Sequence, residues 1–170
     1  MERKLRKAVF FDRDGTLNVD HGYVHEWVNF TWIPGARDAI KLANDNQYLV
    51  FVVTNQSGIG RGYYGKEDVN KLHVQMNHDL AKIGAHVDAF EFCPHHPEEA
   101  NPEYLKTCNC RKPAPGMLIK LIGEWQINTS ESLMIGDNKS DVAAATKAKV
   151  AGHLFTGNNL FDFFSQLVKN

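Results

Sequence analysis

Apolar and polar positions follow two periodicities along this chain. Residues 7–11 (KAVFF) read as a strand, and 48–53 (YLVFVV) are an apolar run rich in Val and aromatics, the pattern of a strand covered on both faces. Residues 88–92 (DAFEF), 132–135 (SLMI) and 150–155 predict three further strands. Between them, residues 66–83 place Val69, Leu72, Met76, Leu80 and Ile83 on one helical stripe. Residues 35–46, opened by Pro34-Gly35, read as a helix, as do 116–125 and 139–148. The tail NNLFDFFSQLVKN predicts an amphipathic closing helix, with Leu160, Phe163, Phe164 and Leu167 on one side.

Strands alternating with helices of about ten residues predict a doubly wound α/β fold, a parallel sheet with helices on both faces. Two stretches resist the alternation: 15–34 and 93–115, the latter holding all the cysteines and five of the six prolines. Neither is long enough to fold alone, so no large cap domain is expected. In an open α/β sheet the ligand sits outside the carboxyl ends of the strands. Asp12, Asp14, Thr54 and Asp137 all fall just past a predicted strand.

Composition narrows the class. The 170 residues fit one domain, 1–170, with an ordinary 43% hydrophobic and 23% charged content. A formal net charge of −1 makes no electrostatic case for nucleic acid or an anionic membrane. No apolar run approaches the roughly 20 residues of a membrane span. The opening MERKLRKAVFF is basic and then apolar, but its apolar part stops at Asp12, too short for a secretion signal. A cytoplasmic monomer is the expectation.

Asp12 and Asp14 beyond one strand, and Asp137 beyond another, can supply oxygen ligands to Mg²⁺. A carboxylate beside such an ion can attack phosphorus, and a second can pass the proton. Lys112 and Thr54 would offset charge on the equatorial oxygens. A single acid at a strand end is ordinarily a solvated loop residue. DRDGT, VVTNQSG, RKP and IGDNKSD in this order are a constellation.

That constellation, DRDGT (12–16), Thr54, Lys112 and GDNKSD (136–141), resembles the four ordered motifs of the haloacid-dehalogenase phosphatase superfamily over about residues 7–155. The resemblance implies that Asp12 is the nucleophile and Asp14 the general acid/base. It implies that Mg²⁺ is held by the side chain of Asp12, the backbone carbonyl of Asp14 and Asp137, while Asp141 orients its neighbours.

The three cysteines cluster as C-x-H…C-x-C: Cys93, His95, Cys108 and Cys110. Three thiolates and one imidazole complete a tetrahedral zinc set with no open position, a structural site. His96 is the competing imidazole, and three free thiols in a reducing compartment are the alternative on spacing alone. CPHHP followed by CNCRKPAPGM resembles the zinc loop of the D-glycero-D-manno-heptose-1,7-bisphosphate 7-phosphatases, with related loops in histidinol-phosphatases. By that resemblance zinc positions Arg111 and Lys112, and the guanidinium of Arg111 suits a second phosphate.

The stretch after Asn18 is similar to the substrate loop of the same family, here Asp20, His21, Gly22 and Tyr23. TNQSGIGRG likewise implies that Thr54, Asn55, Gln56 and Ser57 line the phosphoryl and substrate pocket. Trp27 and Trp32 are expected to fasten the loop to the body, and His25, His73, His78, His86 and His153 to be surface or packing residues without partners. One departure stands out: Asn138 occupies a position where heptose members often carry lysine. The implied activity is a Mg²⁺-dependent sugar-bisphosphate phosphatase supplying heptose for surface glycans such as lipopolysaccharide. The alternatives are histidinol phosphate or another small phosphate ester as substrate, and a non-catalytic phosphosugar-binding protein.

Overall fold

The computed structural model describes residues 5–169; the basic start of the chain, residues 1–4, lies outside the described residues. Five strands form one parallel sheet: β1 (Ala8–Phe11), β2 (Leu49–Asn55), β3 (Ala89–Cys93), β4 (Leu133–Gly136) and β5 (Ala151–Leu154), in the order β3-β2-β1-β4-β5. The three inner strands are the apolar runs, because both of their faces are covered. Val9, Phe11, Val50, Val52 and Ile135 point to one face, and Phe10, Phe51, Val53 and Met134 to the other. The edge strands β3 and β5 are only partly buried, which is why their sequences carry polar residues.

Helices α1 (Ala36–Asp45), α3 (Lys66–Ala81) and α6 (Leu160–Leu167) cover the first face. The closing helix has the expected apolar side: Leu160 and Phe164 are fully buried, and Phe164 sets its ring edge-on to Phe11 at 6.0 Å. Burying a side chain of this size stabilises by about 1.5–3 kcal/mol. Helices α4 (Gly116–Trp125) and α5 (Lys139–Lys147) cover the other face through Met117, Leu118, Leu121, Ala144 and Ala145. The sequence pattern misses α2 (Ser57–Gly60), a single turn directly after β2, too short to show a periodicity. It also ends β2 two residues early, since Thr54 and Asn55 still pair with Phe92 and Cys93.

The direction in which successive strands are added to the sheet reverses between β1 and β4, from the β2-β3 side to the β4-β5 side. A crevice opens at such a switch point beyond the carboxyl ends. Asp12 follows β1 and Asp137 follows β4 there. The stretch after Asn18 is pinned to α3, where Trp32 Nε1 donates to Asp79 Oδ2 at 2.9 Å. Trp27 stacks on Phe30, which meets Trp32 edge-on, and all three pack on the first core face.

Candidate active site and metal centres

At the mouth of the switch point three carboxylates converge. One oxygen each from Asp12, Asp137 and Asp141 lie within 4.8 Å of one another. Gly15 makes this possible: it turns at φ 85°, and a Cβ there would lie 2.2 Å from Asp137 Oδ2. Gly136 leaves room for Asp141 in the same way, since its Cβ would also fall 2.2 Å from a carboxylate oxygen. Lys112 enters from the opposite side and is buried. Its Nζ donates to Asp12 Oδ1 at 2.7 Å and to Val53 O at 2.8 Å, and pairs with Asp141 Oδ1 at 2.6 Å.

One ammonium faces three carboxylates, so the cluster carries surplus negative charge in a desolvated place. Burial raises the Asp12 carboxyl, Lys112 pulls it down, Asp141 pushes it up, and the balance lies above the ordinary value. Asp137 stands at the solvent rim with its carboxyl turned toward Asp12 and Thr16. Desolvation and then Asp12 raise it to about 6. For Lys112, burial disfavours the charge, but Asp12 and Asp141 outweigh it and hold the ammonium above its usual range. Hard oxygen donors with excess negative charge are the donor set of a small divalent cation.

Asp14 is not part of that cluster. Its carboxylate accepts from Arg13 Nη2 at 3.0 and 3.2 Å, from Asn18 Nδ2 at 3.0 Å and from Gln56 Nε2 at 2.9 Å. Gln56 is buried, also donates to Thr54 Oγ1 at 2.9 Å, and accepts from Tyr64 OH at 2.6 Å. It braces Asp14 against Thr54 and Tyr64. Asn55 is likewise committed. Its Oδ1 accepts from Lys112 N at 3.0 Å and its Nδ2 donates to Lys112 O at 3.1 Å. The two amides thus contact Asp14 and the backbone of Lys112.

Cys93, His95, Cys108 and Cys110 come together at the end of β3. Their sulfur and Nδ1 atoms lie 2.8–3.6 Å apart along every close edge, and no disulfide links the three thiols. His96 turns elsewhere, its Nδ1 accepting from Glu98 N at 3.1 Å and Glu99 N at 2.9 Å. Burial and the neighbouring Cys110 push the Cys93 thiol far above its ordinary range. Three sulfurs and one imidazole nitrogen gathered in this way are the donor set of a tetrahedral Zn²⁺ site. Arg111 leaves this cluster with its amide donating to Cys108 Sγ at 3.3 Å and its Nη1 to His95 O at 3.3 Å.

Asp20, His21, Gly22 and Tyr23 are exposed beside a groove of about 550 Å³ that His25 and Val28 also line. Asp20 Oδ1 accepts from Gly22 N at 2.9 Å, and Tyr23 meets Tyr63 edge-on at 4.9 Å. Ser57 opens α2. Asn138 caps α5: its side chain accepts from Ser140 N while its own amide donates to Asp141 Oδ2 at 3.0 Å. That cap, N-x-x-D, gives the departure from lysine a structural role. Three histidines expected to lack partners have them, since His25 stacks on Tyr64 at 4.5 Å, His73 reaches Arg13, and His86 Nε2 lies 3.2 Å from Asp88 Oδ1.

Sequence reasoning missed Arg13. It is fully buried, held by Asp14, by Val24 O and, at 3.3 Å, by His73 Nε2. An arginine between two acids reads as a solvated residue, and its partners lie 11 and 60 positions away.

The chain has relatives among known proteins. A family model described as polynucleotide kinase 3 phosphatase matches residues 7–159. The D-glycero-beta-D-manno-heptose-1,7-bisphosphate 7-phosphatase of Pasteurella multocida is 45% identical over 146 residues, covering 86% of this chain and 79% of the relative. That of Rhodopseudomonas palustris is 40% identical over 163 residues, covering 96% and 91%. The crystal structure of D,D-heptose 1,7-bisphosphate phosphatase from B. bronchiseptica, complexed with magnesium and phosphate, superposes with a TM-score of 0.83 at 28% identity, over 96% of this chain and 98% of that one.

Proposed function

The chain belongs to the heptose-1,7-bisphosphate 7-phosphatase family of haloacid-dehalogenase phosphatases, and from that premise we propose that it removes the 7-phosphate of D-glycero-D-manno-heptose 1,7-bisphosphate. The observation that carries the chemistry is the buried Lys112 ammonium joining Asp12 to Asp141, with Asp137 beside them at the switch point.

Asp12 is the nucleophile. Its carboxylate attacks phosphorus, the bond from phosphorus to the sugar oxygen breaks, and that oxygen takes a proton from Asp14. Water then attacks the aspartyl-phosphate, gives a proton to Asp14 and frees Asp12. Lys112 and the Thr54 hydroxyl offset charge on the phosphoryl oxygens. Asp12, Asp137 and the backbone carbonyl of Asp14 would hold Mg²⁺, which when bound supplies charge neutralisation between the carboxylates and the phosphoryl group. Cys93, His95, Cys108 and Cys110 would hold a structural Zn²⁺ that fixes the loop carrying Arg111 and Lys112. Arg111 and the Asp20–Tyr23 loop then receive the second phosphate and the sugar hydroxyls. Among the described residues no helix is long and apolar enough to cross a membrane, and three unpaired thiols suit the reducing cytoplasm.

A phosphate-release panel tests this reading: both anomers of heptose 1,7-bisphosphate, fructose bisphosphate, histidinol phosphate and a 3′-phosphorylated oligonucleotide, with and without Mg²⁺. Heptose bisphosphate is expected to lead and to require Mg²⁺. A wide margin for histidinol phosphate would overturn the substrate while leaving the chemistry. The oligonucleotide enters because of the family model's description, and the net charge of −1 weighs against it.

A further inference from the structure

We propose that Arg13 is a positioning residue for the second half of the reaction: it sets Asp14 to accept the proton of the water that attacks the aspartyl-phosphate. The inference deepens the phosphatase reading and rests on it. Every contact made to the Asp14 carboxylate is a donor: Arg13 Nη2 on both oxygens, Asn18 Nδ2 on one and Gln56 Nε2 on the other. In this pose three donated hydrogens face the carboxylate, one of them shared between its two oxygens, which leaves a lone pair for a fourth. The pose is therefore that of the proton-accepting form. In that step the water oxygen bonds to phosphorus, the bond from phosphorus to Asp12 breaks, and the water proton passes to Asp14.

Arg13 gives the pose its direction. Its guanidinium is completely buried, a placement tolerated only where the charge is paired and hydrogen-bonded. Nη2 divides its two hydrogens between Asp14 and the Val24 carbonyl of the loop after Asn18, 2.5 Å away. Nη1 is held by His73 Nε2 on α3, and the His73 ring stacks on Phe90 at 4.3 Å. The fork thus ties the proton-transfer carboxylate to the Asp20–Tyr23 loop on one side and to a helix on the other. A lysine ammonium lacks the planar geometry to hold both.

The test is pre-steady-state hydrolysis of p-nitrophenyl phosphate, whose leaving group needs no proton. Arg13→Met is expected to keep a fast release of p-nitrophenol approaching one equivalent per enzyme. A steady state about 100-fold slower follows, within the range that a positioned proton acceptor contributes. Arg13→Lys should behave the same way, and Arg13→Met should cost nothing further in an Asp14→Asn background. A proportional loss of burst and steady state, an undiminished steady state, or additive losses with Asp14→Asn would each overturn the proposal. If the Arg13 variants do not fold, His73→Phe carries the test, with the same burst and a steady state about tenfold slower expected, and an unchanged ratio of the two phases refuting it. Wild-type protein inert toward heptose bisphosphate but active on the aryl ester would overturn the substrate reading alone.

Discussion

Replacing His73 by phenylalanine should reshape the dependence of stability on pH. The imidazole is almost completely buried; that desolvation, and then the neighbouring Arg13 charge, lower its pKa from 6.5 to about 3. In the unfolded chain the ring protonates near 6.5, whereas the native ring stays neutral until about pH 3. Between those values the unfolded state binds the extra proton. Native stability therefore falls as pH falls, by about 1.4 kcal/mol per unit and about 5 kcal/mol over the whole window. Phenylalanine removes that slope and can keep the stack on Phe90. It also strips the acceptor from Arg13 Nη1, a pH-independent penalty of about 1–3 kcal/mol. The variant should be the weaker protein at pH 7.5, draw level around pH 5, and be the stronger one below. Urea unfolding of both proteins from pH 7.5 to 4.5 gives the comparison, and every carboxylate common to the two cancels in the difference. A difference that stays flat across the range would refute a neutral His73.

Three further outcomes follow from the site. The Mg²⁺-induced rise in melting temperature should shrink as pH falls through about 6, where Asp137 takes its proton, and should vanish in Asp137→Asn; a rise that persists unchanged at pH 5 would contradict the assignment. Lys112→Met leaves Asp12 and Asp141 buried without their cation and should lose about 3–5 kcal/mol in metal-free denaturation, besides all measurable turnover. Chelation should release about one zinc per chain, expose residues 93–115 to protease and reduce phosphate release; carefully purified protein without zinc would count against the site.

The sheet and five of the six helices are legible because each has a local cause: unbroken apolar runs where both faces are covered, and a 3.6-residue stripe where one is. The turn at Ser57–Gly60 escapes because four residues carry no period. The site is legible in the same uneven way. Asp12, Thr54 and Asp137 stand at strand ends, Lys112 shortly before a helix, all in a recognisable order, and Cys93, His95, Cys108 and Cys110 stand close together. The work of Asn55, Gln56 and Arg13 is hidden because their partners lie 57, 42 and 60 positions away. Asn138 is the opposite case, since N-x-x-D before an apolar stretch is a visible helix start.

The reciprocal pair of hydrogen bonds between Asn55 and the backbone of Lys112 has a consequence for how new specificities could be built on this fold. It makes residues 94–110 a cassette with a fixed socket. Swapping its middle, residues 97–107 between the zinc-ligating His95 and Cys108, would preserve the ammonium's location, provided Asn55, Lys112 and the four zinc ligands are kept. Diversification of such enzymes can thus proceed by loop exchange, with the catalytic carboxylates untouched.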